Sequence, residues 1–258
     1  MRNPKDARKI GLARALSKLG YCSRSHAAKL IRAGRVQLNG AASRDPETPV
    51  RLHSDRIFVD GHAVPAAQKI YLLLNKPRGV VTTASDEKGR DTVYSCLQES
   101  LPWVGPVGRL DKASEGLLLL TNDSEWAARL SDPATHLDKT YHVQVGALVD
   151  EDLAAALVQG VRVDTREVMR AKRAHVLRTG ERNAWLEIVL DEGKNRQVRR
   201  MLEALRIEVL RLVRVAFGPL QLGELAKGKF RELTADEKRA LDRAVAISGI
   251  ARVTRAGR

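Results

Sequence analysis

The sequence predicts an α+β protein with two domains, a small basic domain at the N-terminus and a larger domain with a mixed, mainly antiparallel sheet flanked by helices. Two observations predict this organisation. Residues 1–65 hold 13 Lys and Arg against 5 Asp and Glu, whereas the other 193 residues have a net charge of only +6. In the larger part, predicted strands outnumber helices without strict βαβ alternation. We expect domains at 1–64 and 70–247, joined by a linker at 65–69.

The small domain begins with two predicted helices. Apolar residues recur at helical spacing from residue 10 to residue 19, which is typical of an amphipathic helix. Ser23 can accept a hydrogen bond from the first turn of a second helix, which runs to about Ala33. Short strands follow at 36–38 and 57–59. These elements form a compact basic module.

Basic side chains give the second helix a cationic side. Its apolar residues Ala27, Leu30 and Ile31 share the other side, which is expected to face the first helix. The basic residues on this helix or just beyond its end are Arg24, Lys29, Arg32 and Arg35. With a net charge of +14 for the whole chain, this pattern favours a surface that binds RNA phosphates. A solvated helix face without a partner is the alternative.

The larger domain contains strands and helices in irregular order. The predicted strands lie at 70–74, 80–83, 117–120, 140–146, 161–164, 168–177, 184–190 and 208–217. The predicted helices lie at 93–97, 123–130, 150–159, after residue 193 and at 234–245. Residues 248–258 are predicted to form a basic, disordered tail.

The composition argues against a membrane or secreted protein. Hydrophobic residues make up 43% of the chain, and no apolar run approaches the roughly 20 residues of a membrane-spanning helix. The first residues lack the apolar segment of a signal peptide, so a cytoplasmic protein is expected. Cys22 and Cys96 lie far apart in the sequence and are expected to be reduced and structural.

Neither a metal nor a nucleotide cofactor is expected. The six histidines show no H-x-x-x-H spacing, and neither of the glycine-rich nucleotide motifs occurs. Asp111, Glu115 and Asp123 are conceivable ligands for the metal of a nuclease. However, the predicted strand at 117–120 would carry Asp123 well away from Asp111, which argues against such a cluster.

Asp111 is the first candidate for chemistry, because it lies between a glycine turn at Gly108 and a strand that must be buried. A buried carboxylate can act as a nucleophile or a base without a cofactor if a cation keeps it ionised. Arg199 is the candidate cation, since it borders the apolar stripe of the helix after residue 193 and can reach inward. A structural salt bridge is the alternative interpretation.

Several motifs together resemble known families. The N-terminal pattern resembles the S4 RNA-binding domain, and the larger domain resembles the RsuA/RluB family of ribosomal RNA pseudouridine synthases. The motifs that carry the second resemblance are Lys76-Pro77-Arg78-Gly79, Gly108-Arg109-Leu110-Asp111, Lys139-Thr140-Tyr141 and the stretch 192–202. Each motif alone is weak, whereas their joint occurrence over residues 8–240 is specific.

The resemblance implies that the protein isomerises a uridine of ribosomal RNA to pseudouridine without a cofactor. Asp111 would attack or deprotonate the nucleotide, and Arg199 would pair with Asp111. Tyr141 would stack on the flipped base, which has lost its own stacking partners, and would later act on a proton. Arg109 would take the space that the base leaves.

The remaining implications concern the pocket and the partners. Lys76 and Pro77 would shape the pocket edge. The motifs favour large-subunit 23S over 16S ribosomal RNA as the partner, with an assembly intermediate as a further candidate substrate, and a monomer is expected. Two other classes stay open, namely a non-catalytic S4-type RNA-binding protein and a metal-dependent ribonuclease. In simpler interpretations Tyr141 is a core aromatic and Arg109 a phosphate contact.

Overall fold

Six α-helices form in the computed structural model, which describes residues 9–84, 86, 88–98 and 100–256. Their bounds are α1 Leu12–Lys18, α2 Arg24–Arg32, α3 Ser124–Ser131, α4 Glu151–Gln159, α5 Gln197–Ala204 and α6 Ala235–Ala256. Short 3₁₀ helices occur at Val93–Cys96 and Pro133–Thr135. No helix in this part of the chain is both long and apolar enough to cross a membrane.

The chain divides into two units. The smaller unit contains the residues up to Tyr71 together with 98–105 and 120–124, and the larger unit contains 72–97, 106–119 and the residues from Glu125 onward. The strands before Tyr71 are β1 Ile10–Gly11, β2 Val36–Leu38, β3 Ala41–Ser43, β4 Pro49–Val50, β5 Ile57–Val59 and β6 His62–Ala63.

Two helices and a four-stranded sheet form the core of the smaller unit. The strand order is β3-β2-β5-β6, and all three pairings are antiparallel. Leu16 and Ile31 of the two helices pack with Val36 and Val59 of the sheet, and all four side chains are buried. Ser23 Oγ accepts a hydrogen bond from the backbone of α2, as the sequence predicted. The cationic helix is therefore held by its apolar side.

The larger unit is built on a mixed, mainly antiparallel sheet, which confirms the predicted fold class. The strands from Tyr71 onward are β7 Tyr71–Lys76, β8 Gly105–Val107, β9 Glu115–Thr121, β10 Lys139–Val145, β11 Val161–Arg162, β12 Val168–Met169, β13 Arg173–Thr179, β14 Ala184–Leu190, β15 Val209–Phe217, β16 Leu220–Gln221 and β17 Phe230–Glu232. The main path runs β13-β14-β10-β15-β9-β7-β17. In this path β15 and β9 are parallel.

One face of this sheet packs against α4 and α5. Val143, Leu186 and Ile188 of the sheet contact Leu157 of α4 and Leu202 of α5 in one buried cluster. These side chains recur at every second residue of a strand, because successive strand residues point to opposite faces. The cluster fixes the position of α5, whose start lies next to the catalytic candidates.

Some predicted elements were wrong in extent. The strand expected at 80–83 is reduced to a single bridge between Val81 and Thr92, in which Val81 N donates to Asp91 O and Val93 N donates to Val81 O. The strand expected at 168–177 is interrupted where Ala171 N donates to Leu157 O of α4. The backbone N–H of Ala171 therefore bonds to α4 and not to a neighbouring strand.

The last helix is longer than predicted. Its backbone runs from Ala235 to Ala256, whereas the sequence predicted an end near 245 and a disordered tail from 248. No proline follows residue 219 in the chain, so the strongest helix breaker is missing from this segment. Residues 257–258 of the predicted tail lie outside the described residues.

Candidate active site

Asp111 lies in a loop between β8 and β9 whose backbone is held at several points. Gly108 has a φ of +70°, which starts the turn. Thr82 Oγ1 donates to Leu110 O at 2.7 Å, and Ser114 N donates to Asp111 O at 3.0 Å. The Asp111 side chain is 38% exposed. The loop therefore presents an accessible carboxylate on a fixed backbone.

Lys76 holds this loop from beneath. Its side chain is fully buried, and its Nζ donates to Pro77 O and Asp111 O at 3.1 Å and to Ser114 O at 2.9 Å. Burial lowers the pKa of Lys76 to about 8, while nearby negative groups oppose the shift. An ammonium has three donors, and all three are used here. Lys76 and Pro77 thus support the loop from below.

The buried ammonium gives a pH-dependent prediction. The folded protein releases the Lys76 proton near pH 8, whereas the ordinary value of 10.5 applies in the unfolded chain. Between these values the unfolded chain binds more protons, so stability rises with pH. We expect the free energy of unfolding of wild type, relative to Lys76→Met, to increase by about 3 kcal/mol from pH 8 to 10.5. Urea denaturation at several pH values measures it.

The turnover number should change in the opposite direction. A neutral amine donates at most two of the three hydrogen bonds that hold the loop, so kcat is expected to fall as pH rises through about 8 in the wild type only. A stability difference that stays constant across this range would show that the three carbonyl groups keep the ammonium charged, and the prediction would be wrong.

The nearest ion-pair partner of Asp111 is Arg196, which was not predicted from the sequence. Arg196 Nη1 lies 3.8 Å from Asp111 Oδ2. Arg196 has a φ of +50° and is the N-cap residue of α5, so helical periodicity could not place it. Its position in the 192–202 motif was the available signal.

Arg199 lies beside the loop but binds a different group from the one expected. Its Nη2 donates to Ala113 O at 3.0 Å, and no ion pair with Asp111 is formed within the described residues. Burial and the positive charge of Arg196 lower its pKa, while Asp111 opposes this effect. Arg199 therefore lies close enough to Asp111 to be influenced by its charge, but it does not pair with it. The arginine that pairs with Asp111 is Arg196.

Tyr141 lines the same cleft as Asp111. The cleft has a volume of about 560 Å³, and its apolar wall includes Leu190 and Phe217. Tyr141 is on β10 opposite Arg214 of β15. A pyrimidine ring fits beside an aromatic side chain in such a cleft, because stacking replaces the neighbours that a flipped base loses.

Two basic residues of this cleft were missed. Arg214 is 5% exposed, donates from Nε to Leu117 O at 2.8 Å, and places its guanidinium 5.5 Å from the centre of the Phe217 ring. Lys139 Nζ lies 5.7 Å from the same ring, and burial lowers the pKa of Lys139. The sequence signal for Arg214 was available: it is a charged residue at an inward position of the apolar strand β15.

Arg109 is exposed and lines two clefts. The second cleft has a volume of about 460 Å³ and also contains Thr82, Lys112 and Asn195. Asp111 lines both clefts, so the loop separates them. Among the described residues, no group of three or more His, Cys, Asp or Glu side chains is arranged to hold a metal ion.

The basic residues of the smaller unit are exposed on or just after α2. Arg24, Lys29 and Arg32 have no carboxylate partner within the part of the chain that the structure describes, whereas Arg35 Nε donates to Asp60 Oδ1 at 2.9 Å. An arginine that is already paired has less charge to offer to another anion. The three unpaired residues are therefore the stronger candidates for phosphate contacts.

Two protein-family models match the chain. One describes an RNA pseudouridylate synthase and matches residues 70–204, and the other describes an S4 domain and matches residues 10–57. The S4 match lies toward the N-terminus and the synthase match follows it in the chain.

Similar whole proteins are also known. The ribosomal large subunit pseudouridine synthase B of Bacillus subtilis is 38% identical over 92% of this chain and 97% of that protein. An uncharacterised RNA pseudouridine synthase of Aquifex aeolicus is 36% identical over 95% of this chain and 99% of its own length. A crystal structure of a pseudouridylate synthase matches with a TM-score of 0.63 and 30% identity, covering 90% of this chain and 99% of that one.

Proposed function

Because the chain belongs to the RNA pseudouridylate synthase family, we propose that it isomerises a uridine of large-subunit ribosomal RNA, with Asp111 as the catalytic residue. Family membership makes the chain an isomerase with an RNA substrate, and the sequence analysis had left a non-catalytic RNA-binding protein open. The choice of the large subunit is supported by the similarity to the Bacillus subtilis protein. We further propose that it acts as a monomer in the cytoplasm, on ribosomal RNA or on an assembling subunit.

The position of Asp111 and Tyr141 in one cleft carries this proposal. In the reaction, the bond between N1 of uracil and C1′ of ribose breaks, and a bond from C5 to C1′ forms. C5 loses a proton and N1 gains one, so the product is an isomer and no co-reactant is consumed. Tyr141 holds the ring by stacking while the base turns.

The roles of the other residues follow from their contacts. Asp111 attacks or deprotonates the nucleotide, because its carboxylate is accessible from the cleft and is held 3.8 Å from the guanidinium of Arg196. Arg199 keeps the loop in place through Ala113 O, and Arg109 fills the space that the flipped base leaves. Lys76 and Pro77, which were expected at the pocket edge, do not line the cleft of Asp111, and Lys76 acts by holding the loop through Asp111 O and Ser114 O.

Mapping of pseudouridines tests the proposal. Unmodified transcripts of 23S and 16S ribosomal RNA are incubated with the full chain in EDTA and, in parallel, in Mg²⁺, and new pseudouridines are located by chemical modification and primer extension. A single new stop in the 23S transcript supports the proposal. A stop in 16S only contradicts the large-subunit assignment, and strand cleavage that requires divalent ions supports the ribonuclease instead.

The smaller unit is predicted to contribute phosphate contacts. Replacing Arg24, Lys29 and Arg32 by Gln together should weaken RNA binding and reduce the salt slope of log Kd by about 2, because each phosphate contact releases roughly 0.7 to 0.9 of a counterion. Filter binding at several salt concentrations gives the slope.

Arg35→Gln is the matched control for this triple variant. It also removes a basic charge from the same module, but Arg35 is paired with Asp60, so its effect on the salt slope should be clearly below one contact. An unchanged slope in the triple variant would contradict the assignment of α2 as the RNA-binding face.

A further inference from the structure

We infer that Arg78, Arg196 and Arg199 form a phosphate site beside Asp111, which binds a phosphodiester next to the target uridine. Three consecutive residues of the catalytic loop contact two of these arginines and the residue that follows the third. Arg196 pairs with Asp111 at 3.8 Å, and Arg199 donates to Ala113 O at 3.0 Å. Arg78 precedes Gly79, whose N donates to Lys112 O at 2.8 Å. The site rests on the proposed catalytic role of Asp111.

The charges of this group do not balance. Arg196 lies 3.8 Å from Asp111, and Arg199 is influenced by the charges of Arg196, Arg78 and Asp111, so three guanidinium groups share one carboxylate and two positive charges are left over. Other carboxylates of the domain already have basic partners: Glu115 with Arg211 and Lys227, Asp86 with Arg90, and Glu192 with Lys194. An anionic ligand beside Asp111 would balance the remaining positive charge.

Arg78 is the arginine with the most donors to offer. Its side chain is exposed, and its one hydrogen bond among the described residues runs from Nη1 to Leu210 O at a long 3.4 Å. Guanidinium has five donors in a planar fork that matches the oxygens of a phosphate. Most of the fork is thus free to bind an anion that approaches Asp111 from solvent.

Arg199 is also incompletely satisfied. Its Nε is buried and has no acceptor within the described part of the chain, and Arg196 and Arg78 both lower its pKa through their positive charge. A buried donor without an acceptor on a partly buried cation is costly. An anion beside Arg196 and Arg78 would offset the repulsion between the three groups.

RNA supplies that anion for a geometric reason. If Asp111 acts on the base or the sugar of the flipped uridine, the ribose must lie at the loop, and the ribose carries a phosphodiester on each side. A phosphate then comes within reach of groups that flank Asp111. The same contact would orient the nucleotide for reaction.

Uncharged linkages test the site. We use the RNA stem-loop that contains the uridine mapped above, from whichever subunit it comes, with a methylphosphonate placed 5′ or 3′ of that uridine. One of the two linkages should lower kcat/KM of the wild type about tenfold, as expected for one charge-assisted hydrogen bond. Arg78→Gln should cause a similar loss with natural RNA.

The two changes should not add. Arg78→Gln combined with the sensitive methylphosphonate should lose no more than either change alone, whereas independent contacts would multiply to about a hundredfold. Multiplying losses, or equal sensitivity of both enzymes at both linkages, would overturn the proposal. Arg78→Lys keeps the charge without the fork and should fall between wild type and Arg78→Gln.

Arg182→Gln is the matched control, because it removes an exposed arginine of the same domain outside this cluster. It should leave kcat/KM and the methylphosphonate effect unchanged, and an equal loss in this variant would attribute the effect to net charge. Thermal melting of Arg78→Gln must match wild type. If the wild type forms no pseudouridine in any transcript, the proposed function fails, which is distinct from failure of this site.

Discussion

Asp111→Asn is expected to abolish pseudouridine formation, with a loss of at least about a thousandfold in kcat, because an amide is neither a nucleophile nor a base at neutral pH. The substitution keeps the size of the side chain and its place in the loop. It removes only the charge that lies 3.8 Å from Arg196. Single-turnover assays with the mapped stem-loop measure the loss.

Binding should respond in the opposite direction to catalysis. The variant removes the carboxylate from a group of arginines, so affinity for RNA should be equal to wild type or higher. Asp152→Asn is the control, since Asp152 is exposed on α4, and it should retain full activity. Activity of Asp111→Asn within tenfold of wild type would show that another group performs the chemistry.

Local signals in the sequence predicted much of the fold. Ser23 was predicted to cap α2 and accepts a hydrogen bond from its first turn, and Asp150 and Thr234, at the starts of the helices predicted at 150–159 and 234–245, do the same for α4 and α6. Such caps can be predicted from the sequence because the donor and the acceptor are only three residues apart. The two-domain α+β organisation was predicted from the charge distribution and from the number of strands. Both can be read from local sequence without knowing which distant residues are in contact.

The wrong predictions concern segments whose partners are distant in the chain. Residues 80–83 have a strand-like composition, but only Val81 forms backbone pairs, and its partners lie at residues 91–93. Ala171 leaves the sheet because Leu157 O of α4 accepts its N–H. No local pattern encodes these contacts, so a strand was the natural prediction in both cases.

The site was predicted in part. Asp111, Tyr141 and Arg109 line one cleft, as the motifs implied. Arg196 was missed because it lies in the left-handed region at the start of α5, where helical phase gives no direction. Arg199 was predicted from its position around the helix to reach Asp111, and it does lie near the loop. Which arginine pairs with Asp111 depends instead on the backbone conformation at the start of the helix.

Gly116→Ala should lower the free energy of unfolding by more than about 3 kcal/mol, since the variant combines backbone strain with a steric clash. Gly116 has a φ of +99°, and a Cβ there would lie 2.3 Å from Arg214 O and 2.8 Å from Arg214 N. Both atoms belong to the backbone of β15, so no side-chain rotation relieves the overlap. Urea denaturation followed by circular dichroism measures the change.

The effect is expected to reach the active site because Gly116 pairs with Arg214 where β9 and β15 run parallel. Separation of these strands displaces the loop before β9, which carries Asp111. Gly108→Ala is the matched control: Gly108 also has a positive φ, of +70°, but a Cβ there meets no atom within 4 Å. It should cost only about 1 kcal/mol. Equal costs for both variants would mean that the two strands separate easily, and the close approach at Gly116 would then not be what holds the loop against the sheet.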